Sequence, residues 1–163
     1  MDRLLSWLVG AARWSAVGLF AVLTLTLFWS VAIRYFAVFG GSLPWVEEFA
    51  RFTFIWMTFL GAVVALERAE HICIDLLVKH LRPRLQRMVA AGVDAVILAF
   101  LVVYTLTGVQ LVRLTADQTS PQLDLPMSLV HAVIPVTGGV MILQTLRFAL
   151  RRWRPAPAGV ARK

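Results

Sequence analysis

The sequence predicts an all-α integral membrane protein: a four-helix bundle with short interfacial amphipathic helices and both termini in the cytoplasm. Three observations carry this. Of 163 residues, 60% are hydrophobic and 15% charged, with mean hydropathy +0.77; soluble domains hold about 45–50% and about 25%. The apolar residues collect in four continuous runs rather than alternating, and open sheet edges cannot face lipid. Finally, the basic residues lie mostly in alternate connections. Residues 1–154 form one membrane domain with no room for a sizeable extramembrane one, and the tail 155–163, RPAPAGVARK with its first Arg removed, reads as disordered.

The first run, residues 14–33, holds 20 residues without a charge, about 30 Å of helix, and spans a bilayer unaided. It is too long for a signal-peptide core, and no small-residue cleavage site follows it. In the preceding MDRLLSWLVGAARW, Leu4, Leu5, Leu8, Ala11 and Ala12 are expected to share a helical face, with Arg3 and Arg13 off it.

The second run poses a question of length. In LPWVEEFARFTFIWMTFLGAVVAL the uncharged part, residues 52–66, has only 15 residues, about 22 Å of helix. Pro44 suits the first turn of a helix, and Glu47 and Glu48 then sit at the positive end of its dipole. A start at Pro44 gives 23 residues to Leu66, about 34 Å, enough to span with some tilt. Trp45 falls in the headgroup belt, and Glu47 and Arg51, at i and i+4, are placed to neutralise each other.

Residues 72–81 are expected as an interfacial helix. Asp75, Lys79 and Arg82 fall on one side, Ile72, Cys73, Leu76, Leu77 and Leu81 on another, and Pro83 ends it. The third run, 88–112, is interrupted only by Asp94. The fourth, 127–146, carries His131 near one end and Pro135 inside, where a kink is expected. Gly138 and Gly139 offer close helix contact. Trp7, Trp14, Trp45 and Trp153 lie near the boundaries, as aromatic belts do.

Thirteen of the sixteen basic residues fall in the N-terminal arm, the connection between runs two and three, and the C-terminal tail. The positive-inside bias therefore sets both termini in the cytoplasm and the 34–51 and 113–126 connections outside.

This use of charge also accounts for the net +7; nucleic-acid binding would need a basic face on a soluble scaffold. One cysteine, Cys73, excludes an internal disulfide and any multi-cysteine metal site. His71, His80 and His131 form no intramembrane pair for haem, and no zinc-ligand spacing, nucleophile triad or phosphate loop is visible. No cofactor and no enzymatic role are expected. Asp94 is the only acid inside a run; it is expected to pair with Arg87 or Arg84 rather than act as a proton relay. A self-contained transporter, or a membrane anchor of a redox complex, would need buried acids or paired histidines. What remains is a bundle without its own coupling equipment, as an accessory subunit would be.

The ordered set Trp45, Glu47 or Glu48, Arg51, Gly61, Arg68, His71, Ile72 and Asp75, preceded by Arg34-Tyr35, resembles the small membrane subunit of tripartite ATP-independent periplasmic (TRAP) transporters. TSPQLDLPMSLVHAVIPVTGG, through Ser120, Leu125, Pro126 and Pro135, is similar to that family's outer loop and fourth helix. His131 departs from the aromatic common there. The resemblance implies a non-enzymatic subunit of the bacterial inner membrane. Its partners would be a large multi-helix permease and a periplasmic solute-binding protein, which together import organic acids such as C4-dicarboxylates or sialic acid on an ion gradient, typically sodium. The small subunit would scaffold and anchor the large one. Trp45, Glu47, Glu48 and Arg51 at one end of the second helix, with Arg68, His71 and Asp75 at the other, are the expected contact residues.

Overall fold

A computed structural model describes residues 2–36, 44–78 and 83–153. They form α1 (Asp2–Phe36), α2 (Pro44–Val78), α3 (Pro83–Leu114), a short α4 (Met127–His131) and α5 (Val133–Trp153). Pro44 and Pro83 each open a helix, where their missing N–H costs nothing. Within these helices the stretches Leu5–Tyr35, Pro44–Arg68, Met88–Leu114 and, across the α4/α5 junction, Met127–Leu150 are long and apolar enough to cross a membrane.

Two helices run further than their apolar cores. Residues 2–13 continue into α1 without a break, and of the interfacial helix expected over 72–81, residues 72–78 are the last turns of α2 while 79–81 lie outside the described residues. Nothing between Glu67 and Asp75 stops a helix: the stretch has neither Gly nor Pro. The buried face of the N-terminal stretch also differs from expectation. Leu5, Val9 and Ala12 are buried, whereas Leu8 and Ala11 are exposed. These three begin a seam, Leu5, Val9, Ala12, Ala16, Leu19, Leu23, Thr26, Ser30 and Ile33, whose steps alternate four and three residues and which is buried or half-buried throughout. A repeat of seven holds one stripe against a neighbour as in a coiled coil, and here the neighbour is α2.

The order of packing is α1 on α2, α2 on α5, and α5 on α3. α1 meets α5 only marginally, and α2 touches α3 through the rings of Phe59 and Tyr104, whose centroids lie 6.3 Å apart; among the described residues α1 forms no packed interface with α3. The bundle is thus an open row of two antiparallel hairpins, α1–α2 and α3–α5, joined along α2 and α5. Both faces of the row show large apolar side chains, including Phe20, Phe28 and Trp29 on α1 and Val96, Phe100 and Val103 on α3. Against lipid tails this exposure carries no hydrophobic penalty. The hydroxyls are settled locally: Thr24, Thr26, Thr53, Thr58, Thr105, Thr107, Thr137 and Thr145 each donate to the carbonyl four residues earlier.

Pro135 acts one turn before itself. It has no N–H for the His131 carbonyl, and the fourth span breaks there into α4 and α5, with Ala132 between them. α3 approaches α5 closely through glycines. A Cβ added at Gly138 would collide with Thr105 Oγ1 and come within 3.1 Å of Tyr104, and one at Gly108 would lie 2.6 Å from Ile134 Cγ2. Gly139, expected to share this role, has nothing within 4 Å of such a Cβ. Gly138→Ala should therefore lower stability by about 1–3 kcal/mol through overpacking, while Gly139→Ala should be neutral or gain up to about 1 kcal/mol of helix propensity. Thermal unfolding of the two variants in detergent distinguishes them.

Candidate docking end

α2 begins with Val46 and Ala50 turned into the protein and Trp45, Glu47 and Arg51 turned out. Glu48 is half-buried beside the loop that joins α3 to α4. Its Oε2 accepts two hydrogen bonds from consecutive backbone amides, Gln122 N–H at 3.0 Å and Leu123 N–H at 3.1 Å. Adjacent amides of a turn make a small cradle for an anion, and the carboxylate of α2 fills this one.

The loop is built to present that cradle. Ser120, 1% exposed, donates its N–H to the Leu125 carbonyl at 2.9 Å and accepts Leu123 N–H on Oγ at 3.4 Å. Asp124 N–H returns to the Ser120 carbonyl at 3.1 Å, and Asp124 itself takes a positive φ of 50°, which Asp tolerates better than most residues. Met127 N–H reaches the Gln118 carbonyl at 2.8 Å and closes the base. At the neighbouring helix ends Thr115 Oγ1 and His131 Nδ1 share a hydrogen bond of 3.2 Å, which gives that histidine a local structural use. Beneath the loop lies an apolar hollow of about 190 Å³, lined by residues that include Leu19, Phe49, Trp56, Leu125 and Leu129.

The seven expected contact residues divide into two groups. Trp45, Glu47, Glu48 and Arg51 sit at this end; Arg68, exposed, sits near the far end of α2, and the side chains of His71 and Asp75 lie outside the described residues. From Glu48 to His71 along α2 is about 35 Å, so the two groups cannot serve one site. Glu47 and Arg51 were expected to pair; among the described residues no ion pair joins them, and both are exposed. Glu48 is committed inward, to a loop whose residues Gln122 and Leu123 did not stand out in the sequence. The only local signal for that loop was its turn-rich spelling, SPQLDLP.

Two further polar groups cross or flank the α2/α5 joint. Gln144, 1% exposed, donates Nε2 to the Val63 carbonyl at 3.3 Å, while its Oε1 is buried without a hydrogen-bond partner. Asp94 is 8% exposed and lies on the stripe of α3 that packs on α5. The register set by Gly138 against Thr105 and Gly108 against Ile134, carried down this antiparallel pair, brings Asp94 level with Arg147 and its buried Nε. Both residues have polar or electrostatic partners of their own. The side chains of Arg84 and Arg87, the partners expected for Asp94, lie outside the described residues. Among the described residues no group of three or more His, Cys, Asp and Glu gathers to hold a metal ion.

A family model described as "Tripartite ATP-independent periplasmic transporters, DctQ component" matches residues 23–155. The isethionate TRAP transporter permease protein DctMQ of Oleidesulfovibrio alaskensis is 31% identical over 136 residues, 80% of this chain and 21% of that protein. The C4-dicarboxylate TRAP transporter small permease protein DctQ of Rhodobacter capsulatus is 31% identical over 117 residues, 71% of this chain and 52% of the relative. The sialic acid TRAP transporter small permease protein SiaQ of Vibrio cholerae is 24% identical over 130 residues, 80% and 74% of the two chains. The chain thus spans about a fifth and about half of the first two curated relatives.

The cradle separates the two adjacent acids. Glu48→Ala leaves two amides of a partly buried turn without their acceptor and should cost about 1–3 kcal/mol. Glu47→Ala, on the exposed side, should stay within about 0.5 kcal/mol. Hydrogen exchange of the Gln122 and Leu123 amides should accelerate in the first variant only.

Proposed function

Since the chain belongs to the DctQ family, the small permease subunits of TRAP transporters, we propose that it scaffolds a large permease subunit in an importer of organic acids. The family is a transport component and not an enzyme, and the chain is a multi-pass protein of the inner membrane. The observation that carries the proposal is the open row: four spans, two broad apolar faces and, among the described residues, no closed interior in which a solute path could run. A plate of this kind widens and anchors a larger protein against which a moving domain can work.

The partners are the large permease and a periplasmic solute-binding protein, and the driving force is an ion gradient, sodium in the first instance. The relatives' names specify isethionate, a C4-dicarboxylate and sialic acid, which share the chemistry of small organic anions; this chain's substrate belongs to that class. The charge distribution supports an orientation with both termini in the cytoplasm. The Glu48 cradle then lies at the periplasmic end. There Trp45, Glu47 and Arg51, exposed and unused by the chain itself, are the contacts offered to the permease, and Arg68, His71 and Asp75 serve the cytoplasmic end.

Co-expression with such a permease and binding protein tests the assignment. A tagged form of this chain should retain the permease through detergent purification, and gradient-driven uptake of a labelled organic acid should require all three proteins. A Glu47→Gln/Arg51→Gln variant should fold and weaken that retention. Uptake by this chain alone in proteoliposomes would contradict the scaffold role.

A further inference from the structure

α1 is longer than the membrane needs. Its apolar span Leu5–Tyr35 has 31 residues, about 46 Å of helix against a hydrocarbon core of about 30 Å. With the uncharged residues 14–33 in the core, the turns from Leu5 to Arg13 lie at headgroup depth. One side of these turns is sealed on α2 by Leu5, Val9 and Ala12. The other side carries an open hollow of about 380 Å³ lined by Ser6, Trp7, Gly10, Ala11 and Trp14. The two indoles stand two turns apart and are 79% and 75% exposed. Gly10 floors the space between them, and a Cβ placed there would meet nothing within 4 Å. The protein's own packing therefore does not call for a glycine. Exposed Arg13 stands on the flank of the hollow, beside Ser6 and Gly10 on the helix, and Arg3 precedes Trp7 by one turn.

We propose that this hollow binds one anionic phospholipid, with its phosphate on Arg13 and its glycerol-proximal methylenes between Trp7 and Trp14 over Gly10. Indoles favour the boundary between headgroup and chain, where an apolar ring and a polar N–H are both accommodated. Arginine reaches from an apolar stem to a phosphate at the same depth, and helical side chains lean towards the N-terminus, which brings the Arg13 head back alongside the notch. Charge decides the occupant. An apolar helix of another protein laid in the hollow would cover Arg13 without a counter-charge, whereas a phospholipid supplies the anion and the apolar stem together. The site needs only the depth of the helix; that the cytoplasmic leaflet supplies the lipid rests on the orientation proposed above.

The test uses the full chain with Trp29, Trp45, Trp56 and Trp153 changed to Phe, reconstituted in phosphatidylcholine vesicles. These contain a small fraction of either dibrominated phosphatidylglycerol or dibrominated phosphatidylcholine, whose bromines quench nearby indoles. Quenching of Trp7 and Trp14 should report phosphatidylglycerol enriched roughly fivefold over phosphatidylcholine, the preference expected of one guanidinium at an anionic headgroup. Arg13→Gln should abolish the preference. Gly10→Leu, which the fold accommodates, should fill the hollow and weaken quenching by both lipids. Equal quenching by the two lipids in the parent protein would overturn the proposal, as would a preference that survives both substitutions. Loss of quenching once the large permease is co-reconstituted would assign the hollow to a protein partner and equally overturn it. Native mass spectrometry of the unaltered sequence gives a second readout: retained phosphatidylglycerol should fall in Arg13→Gln and Gly10→Leu.

Discussion

Two antiparallel hairpins meet along a single line, α2 beside α5, and the arrangement of the whole chain depends on that line. α1 is tied to α2 by a seven-residue seam, and α3 to α5 by the glycine contacts at Gly108 and Gly138. Beyond that line the two pairs meet little among the described residues: Phe59 of α2 touches Tyr104 of α3, ring centroids 6.3 Å apart, and α1 forms no packed interface with α3. Two side-chain hydrogen-bonding residues cross the joint, Gln144 to the Val63 carbonyl within it and Glu48 to the loop amides at its end. Lipid offers the buried Gln144 amide no alternative partner, so its bond fixes register even where its net energy is modest. The parallel course of α2 and α5 follows from their position in the chain, and the Glu48 cradle fixes which turn of the loop faces which turn of α2.

This geometry gives the outer acids separate meanings. A carboxylate at a helix start is ordinarily a dipole partner worth a few tenths of a kcal/mol to about 1 kcal/mol. Glu48 is more than that, because it reaches a segment more than seventy residues away in the chain. Glu47, one position earlier, faces outwards with Trp45 and Arg51. The same short stretch thus holds the protein's own architecture on one side and an unoccupied polar edge on the other. An open row with one structured end is a suitable form for a subunit whose work is to support another.

Much of this was legible in the residues. Continuous apolar runs as long as a bilayer leave few alternatives to helices, and Pro44 marks a start that the structure shares; Pro83, expected to end a helix, opens α3. Other features were hidden for physical reasons. An amphipathic stretch has the same period whether it lies flat or extends an existing helix, so residues 72–78 were assigned as a separate element. The face buried by Leu5, Val9 and Ala12 was missed because Leu8 and Ala11 are as apolar as their neighbours; only the long seven-residue repeat distinguishes them. Gly138 and Gly139 differ in use although the local sequence treats them alike, since the neighbours that crowd one and spare the other lie on a different helix, α3. The partners of Glu48 are backbone amides, which every residue carries, so no residue type announced them.

The row itself is the central claim, and a distance across it is the most direct measurement. Spin labels at Leu25 on α1 and Val103 on α3, both exposed and at similar depth in their spans, can be placed in a Cys73→Ser background and read by pulsed electron resonance in nanodiscs. Three successive helix spacings, shortened where α1 touches α5 and α2 touches α3, predict a separation of roughly 20–30 Å between the helices. A separation of roughly 10 Å, that of neighbouring helices in a closed bundle, would contradict the account.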